Sequence, residues 1–358
     1  MDGVVMQDAL ALFKGKRVVV TGDTGFKGSW LSLWLHGLGA KVLGYALPPK
    51  HDSDHFKLLS LREYIKHIDG DVRDITKLRT AISDFKPEFV FHLAAQAIVR
   101  LSYDEPKDTF DTNIGGSVNI LEVIRNTPSV KSVIYVTSDK CYKNKEWHWG
   151  YRENDELGGH DPYSASKAAA EVVFSAYVDS FFSKRSDIGI SSVRAGNVVG
   201  GGDWSADRIV PDCVRSLQKN ESIVIRNPHA TRPWQHVLEP LSGYLLMAAN
   251  LYINPKCFSG SWNFGPDGRA IRTVKDLADK VVSCWGSGSV QVVEQKGAPH
   301  ESGLLHLNCD KSHQILNWHP RWDFDRTVSE TVRWYKEISL GKNAMDISKQ
   351  QIADYLEV

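Results

Sequence analysis

The sequence has no excess of either charge. Its 43 Lys and Arg residues balance 43 Asp and Glu over 358 residues, and no block of like charge stands out. That balance excludes the broad electrostatic footprint of a nucleic-acid or membrane-surface partner, so an anionic ligand must be met by a few local groups. Cysteine is scarce. The five present, Cys141, Cys213, Cys257, Cys284 and Cys309, are odd in number, scattered and without metal-ligand spacing. This reads as reduced thiols of a cytoplasmic protein, and no metal site is expected. Long apolar runs are missing as well, since none approaches the ~20 residues of a membrane span. The opening stretch MDGVVMQDALALFKGK is acidic early, with an apolar part too short for a secretory signal. There are no repeats and no low-complexity segments.

What is present is alternation. Short apolar runs at 17–20 (RVVV), 41–47, 88–95, 131–138 and 190–199 are separated by helical patterns near 27–38, 75–85, 108–126 and 162–182. This predicts an α/β protein with a Rossmann-type, doubly wound parallel sheet covered by helices on both faces. Beyond about residue 200, strand-like stretches at 222–228 and 289–295 mix with helical ones at 240–253, 273–285 and 325–338. They predict a smaller α+β lobe that binds substrate. The expected division is 1–200 for a dinucleotide-binding domain carrying the catalytic residues and 201–358 for the lobe. The boundary is approximate, with some later segments free to return to the first domain.

Gly22-Asp23-Thr24-Gly25-Phe26-Lys27-Gly28 follows the first apolar run and opens a helix. Glycines at this spacing allow a tight turn and let backbone N–H groups approach a pyrophosphate, whose charge the helix N-terminus favours. Phe26 and Lys27 fall within this cofactor loop. Asp23 is an unexpected acid there, which would repel a pyrophosphate unless Lys27 compensates. About 20 residues on, where an acid or a base would choose NAD or NADP, the sequence reads Ala46-Leu47-Pro48-Pro49-Lys50 and leaves that choice open. In Gly70-Asp71-Val72-Arg73-Asp74, one aspartate is expected to hold the adenine edge, with Asp71 favoured, and the other to cap the next helix.

Tyr163 and Lys167 stand four apart at the start of a helix that Asp161 and Pro162 are suited to begin. They therefore share one face. A phenol near pKa ~10 becomes a useful base when an ammonium and an oxidised nicotinamide favour its phenolate. The run VTSDKCY (136–142) sets Ser138, Asp139 and Lys140 at the end of a strand-like stretch. Asp139 and Lys140 can meet one substrate only if the chain has already left strand geometry there.

With these residues the chain resembles the extended short-chain dehydrogenases/reductases that act on nucleotide-linked sugars, from Arg17 to about Trp322. The resemblance implies that Ser138, Tyr163 and Lys167 form the hydride-transfer set, that His92, Leu93, Ala94, Ala95 and Asn113 lie along the cofactor, and that this cofactor is NAD. Epimerases of the family usually lack an acid–base pair after the serine. Dehydratases need one, to remove a proton from carbon 5 and protonate the hydroxyl leaving carbon 6. Relatives acting on dTDP-glucose and GDP-mannose typically carry Asp or Thr followed by Glu, whereas Asp139 is followed here by Lys140.

Together with GDTGFKGSWL (22–31), HLAAQAIVR (92–100), RAGNVVGGGDW (194–204), DRIVPD (207–212) and RPWQHVLEPL (232–241), that pair resembles the branch acting on CDP-D-glucose. The branch serves bacterial deoxysugar biosynthesis, including that of lipopolysaccharide O-antigen. It implies Arg208 and Arg232 on the diphosphate, Asn197 on a phosphate or sugar hydroxyl, and Gln96 and His236 at the substrate, His236 alternatively only shaping its loop. Lys140 would be the carbon 5 base, for which its pKa must fall toward ~7–8, with Tyr142 and Glu146 in reserve. Family members commonly pair through the tyrosine helix and the helix near 108–126, which implies a homodimer or a tetramer. The Trp-rich segment Glu146 to Tyr151 is left as a sugar-site wall, a lid or a subunit contact. The rival functions are an NAD-dependent nucleotide-sugar 4-epimerase and a non-catalytic dinucleotide sensor.

Overall fold

The computed structural model describes residues 5–268, 271–293 and 304–357. Seven parallel strands form the main sheet: β1 (Arg17–Thr21), β2 (Lys41–Ala46), β3 (Lys66–Asp69), β4 (Phe89–His92), β5 (Ser132–Val136), β6 (Gly189–Ala195) and β7 (Gly260–Phe264). Their order across the sheet is β7-β6-β5-β4-β1-β2-β3. The chain therefore winds outward in both directions from β1 and β4, the arrangement that places ligands at the carboxyl ends of the central strands.

The apolar runs divide by the two-residue period of a strand. Val18 and Val20 of β1 face one core with Trp30, Leu31 and Trp34 of the Phe26–Gly37 helix and most of the Leu238–Ile253 helix. Val19 faces the other, with Leu78, Ile82, Ile120, Leu121 and Phe174 from the helices on the opposite side. With both faces covered, nearly every residue of β1, β2, β4, β5 and β6 is buried.

Two strands lie outside the expected set. β3 reads KHID, too polar and too short for an apolar signal. β7 reads GSWNF and pairs with β6 from Gly260↔Ser191 to Phe264↔Ala195. The C-terminal helix Ala344–Leu356 also packs on the first half of the chain, its Tyr355 ring meeting Trp34 at 5.8 Å. The remaining later elements include three two-stranded ribbons, 198–199 with 235–236, 231–233 with 271–273 and 223–225 with 290–292.

Among the described residues no helix is long and apolar enough to cross a membrane. None of the five cysteines is bonded to another.

Candidate active site

The sequence-expected groups gather where the sheet ends. Gly22 follows β1, Leu93 to Ala95 follow β4, Ser138 follows β5 and Asn197 follows β6. Gly22 has φ +76, and a Cβ there would stand 2.7 Å from the Ala94 amide nitrogen. A Cβ on Gly28 would stand 2.0 Å from the Gly22 carbonyl oxygen. Only glycine permits this crossing of backbones. The turn closes through a Gly25 N–H to Gly22 carbonyl bond of 3.1 Å, and Gly25 caps a 12-residue helix that starts at Phe26. The tight turn and the first-turn N–H groups beyond it fit a pyrophosphate.

Asp23 does not face that position. Its carboxylate is fully buried beneath β2, where a Cβ on Gly44 would lie 1.9 Å from Oδ2. The same oxygen is 2.6 Å from His67 Nδ1 on β3, and His67 Nε2 is 3.0 Å from Asp69. The compensating group is therefore His67 and not Lys27.

Asp74 caps the next helix by accepting from the Lys77 N–H at 3.0 Å. Asp71 is the other carboxylate of its loop. It is half-buried, clasped by Arg73 and held below the usual carboxylate range by that contact. Val72 is buried beside Gly116.

Asn113 sits in a π turn, Asp111–Gly115, within the helical run from Pro106 to Arg125, a widened turn frequent at functional sites. Its side chain accepts from Gln96 N–H at 2.8 Å and donates to the Gln96 carbonyl at 3.0 Å and to Ser166 Oγ at 2.8 Å. It thereby ties the loop after β4 to the tyrosine helix. Gln96 spends its own amide in the same place, donating to Ile98 O and Thr109 Oγ1 and accepting from Ile98 N–H. Its side chain is thus engaged within this loop.

The strand geometry ends at Val136. Ser138 caps a one-turn 3₁₀ segment, Asp139–Cys141, accepting from the Lys140 N–H at 3.3 Å. Ser138 Oγ also donates to Asp139 Oδ1 at 2.9 Å. Asp139 is buried, and its Oδ2 has no hydrogen-bond partner among the described residues. Gly196 leaves it room, since a Cβ there would stand 3.0 Å from that oxygen.

Facing this turn is the helix Pro162–Tyr177, capped by Asp161 through the Ser164 N–H at 2.9 Å. It presents Tyr163 and Lys167, both buried, with Lys167 Nζ 6.0 Å from the Tyr163 ring centre. Burial pushes the Tyr163 phenol up to about 12, Ser138 opposing and Asp139 adding to the rise. Burial lowers Lys167 to about 8.

Lys27 and Arg208 complete the pocket. Burial lowers Lys27 to about 8, with Arg208 and Lys167 reinforcing and Asp139 and Asp203 opposing the effect. Arg208 is bonded to the buried Asp203 at 2.8 Å and feels the Tyr163 phenol. Lys27 thus belongs to the catalytic pocket as well as to the glycine loop, which its position in the motif alone does not reveal. Asn197 and Arg232 are half-buried, and Arg232 donates to the Thr231 carbonyl at 2.8 Å. His236 is elsewhere: it is fully buried, 4.8 Å from the Trp322 ring and lowered to about 3 by burial. It is a core histidine and shapes its loop only from below.

The family model described as GDP-mannose 4,6 dehydratase matches residues 19–331. The chain belongs to that family, within the extended short-chain dehydrogenases/reductases. Among the dehydratases of this family, the CDP-glucose 4,6-dehydratase of Salmonella typhimurium is 49% identical over 348 residues, covering 96% of this chain and 97% of that one. An epimerase from Methanothermobacter thermautotrophicus superposes with a TM-score of 0.78 at 22% identity, over 94% of this chain and 96% of its own. The dTDP-glucose 4,6-dehydratase of Streptomyces venezuelae, solved with NAD bound, superposes with a TM-score of 0.77 at 22% identity, over 92% and 99%. Dehydratases and epimerases share this fold, so the fold alone does not separate the two.

The residues that sequence reasoning missed are long-range partners. Besides His67, they are Glu171, one turn beyond Lys167, and Arg194, which stands in the RAGNVVGGGDW stretch without an obvious task. The four-residue spacing from Lys167 was the only local signal for Glu171.

Proposed function

We propose that this protein is a CDP-D-glucose 4,6-dehydratase, a lyase that forms CDP-4-dehydro-6-deoxy-D-glucose and water. The observation that carries the reading is the identity of 49% with such an enzyme over 96% of the chain. Gly22, Gly25, Phe26, Lys27, Gly28, Asp71, Val72, Leu93 to Ala95 and Asn113 would hold NAD, along with Tyr163 and Lys167. When bound, NAD supplies a hydride acceptor for carbon 4 and a hydride donor for carbon 6.

The chain's own residues manage the protons. Tyr163 receives the proton of the hydroxyl on carbon 4, and Ser138 donates a hydrogen bond to the carbonyl oxygen that forms. Lys167 at about 8 is mostly charged near neutrality and steadies the phenolate. The 4-keto group acidifies carbon 5. Lys140, in its neutral form, removes that proton, and Asp139, entering as the acid, protonates the hydroxyl leaving carbon 6. The unpartnered Asp139 Oδ2 suits that exchange. Carbon 5 is reprotonated from Lys140, which becomes neutral again. The proton that Tyr163 took from the carbon 4 hydroxyl passes to Asp139 by way of Ser138, which bonds Asp139 Oδ1 at 2.9 Å, so all three groups return to their starting forms.

Arg208 and Arg232, with Asn197, would meet the diphosphate and sugar, the planar guanidinium matching phosphate oxygens. A cytoplasmic homodimer completes the reading, with the tyrosine helix and the helical run near 106–125 as its contact. Val172 and Val118 expose 58% and 37% of their surface on those elements, apolar area that a second copy would cover.

The test is to incubate the protein and NAD separately with CDP-, dTDP- and UDP-glucose and GDP-mannose. Products are followed by the absorbance of the keto sugar in alkali and by mass. Loss of water from CDP-glucose alone is expected. An isomeric sugar without loss of water would replace the reading with an epimerase, and no turnover of any sugar would set aside the dehydratase reading.

A further inference from the structure

The turn that carries Asp139 and Lys140 is held at both ends by one buried ion pair. Glu171, on the tyrosine helix, and Arg194, on β6, are 0% and 2% exposed. They meet as a fork on a fork, Arg194 Nε to Oε1 at 2.9 Å and Nη2 to Oε2 at 2.7 Å. The residue just before the site, Thr137, donates its hydroxyl to Glu171 Oε1. The residue just after it, Tyr142, accepts from Arg194 Nη1 at 2.8 Å and donates its own hydroxyl to Asn263 Oδ1 on β7 at 2.8 Å. Ser192, Ser261 and the Glu153 carbonyl take the remaining places around the pair.

Segment 138–141 is therefore a short bridge whose two abutments are fixed to the same pair of charges. Glu171 lies one helical turn from Lys167, so the hydride-transfer residues and the elimination residues share one reference point. Tyr142 is excluded as a base by the same contacts. Its phenol is buried, donates to Asn263 and is pushed well upward by burial.

We infer that Glu171 and Arg194, acting through Thr137 and Tyr142, are positioning residues for elimination, setting Asp139 and Lys140 against carbons 6 and 5. The inference rests on the dehydratase reading above. Bidentate pairs suit this use because the planar fork fixes direction as well as distance. A buried pair is not needed for stability alone, since apolar residues can often replace one.

The experiment uses the full-length protein with NAD and CDP-D-glucose and the variant Tyr142→Phe, which removes one hydroxyl and leaves in place the ion pair and the stack of ring 142 on Tyr151, whose centres are 5.2 Å apart. Arg194→Lys, which keeps the charge and loses the fork, is the second variant. For Tyr142→Phe, kcat should fall about tenfold to a hundredfold, as a displacement near 1 Å does, with KM within about twofold. The kinetic isotope effect from deuterium on carbon 5 should rise above the parent's, while that from deuterium on carbon 4 does not. Arg194→Lys should move the same quantities further. A smaller folded fraction would scale kcat without changing either isotope effect, and thermal melts report that fraction directly. The inference is overturned if kcat of Tyr142→Phe stays within about twofold of the parent, or if kcat falls with the carbon 5 effect unchanged. A parent protein that does not dehydrate CDP-glucose overturns the functional reading itself, and the clamp's role with it.

Discussion

Asp23 stands where a second negative charge would oppose a pyrophosphate, and the chain deals with it by turning the carboxylate under β2 to meet His67. Burial raises the Asp23 pKa, and the contact with Asp23 raises that of His67 against the burial that lowers it. The direction that governs is the second, His67 being raised by its place between the Asp23 and Asp69 carboxylates. Replacing His67 with Ala leaves a buried carboxylate unpaired and should cost about 3–5 kcal/mol of stability, measured by urea denaturation. Lys140 answers to a different measurement. Lys140→Met should lower product formation by about 10²–10⁴-fold, the usual worth of a positioned base, and abolish entry of deuterium at carbon 5 in deuterated water. Unchanged entry would remove Lys140 from that role. At this scale the four-residue spacing placed Tyr163 and Lys167 on one face, as the structure has them, whereas Ser138 came only with the family resemblance. The sequence did not disclose His67 beneath Asp23 or Arg194 beside Glu171, because those partners are 44 and 23 residues apart and meet only through the order of the strands. For His236, left between a substrate contact and a loop-shaping role, full burial favours the second, since burial and not residue type decides whether a histidine reaches a ligand.

Elements with a strong apolar run or an unambiguous cap were readable in advance. The runs at 17–20, 41–47 and 131–138 became β1, β2 and β5, and Asp161 with Pro162 opens the tyrosine helix. β3 and β7 were not readable, since KHID and GSWNF take their strand form from neighbours already in the sheet and not from their own pattern. The π turn at Asn113 was also hidden, because it depends on what the Asn113 side chain reaches. The glycine loop gives the test suited to this scale. Gly28→Ala places a methyl group 2.0 Å from the Gly22 carbonyl, which forces the turn apart. NAD affinity, followed by quenching of tryptophan fluorescence, should fall at least about tenfold, equivalent to ~1.4 kcal/mol. Far-ultraviolet circular dichroism should not change.

The molecule as a whole is laced by contacts between its ends. Glu239, fully buried, accepts from the backbone N–H of Arg321 and Trp322 and from the Tyr355 hydroxyl, joining the Leu238–Ile253 helix to the 321–322 turn and the C-terminal helix. Burial raises its carboxyl to about 7 from 4.5. Between those values the folded chain keeps a proton that the unfolded chain has lost, so this group's contribution to stability declines as pH rises through the window. Glu239→Gln does not titrate. The variant should match the parent near pH ~5 and exceed it by up to about 3 kcal/mol near pH ~8, because each tenfold change in proton affinity between the folded and unfolded chain is worth ~1.4 kcal/mol. Thermal melts followed by tryptophan fluorescence would measure the difference, and a gap that stays constant with pH would remove Glu239 as its source.

β7 has a consequence for how the protein is made. When β6 leaves the ribosome its outer edge is bare, and the strand that covers it follows only after residues 196–259. At ~5–20 residues per second that wait is about 3–13 seconds. During it the nascent chain carries an unpaired strand edge, the kind of surface that recruits other chains, and Arg194 lacks its Ser261 contact on β7. Synthesis rate and chaperone capacity between residues 195 and 264 should therefore govern the yield of active protein more than either does over the glycine loop.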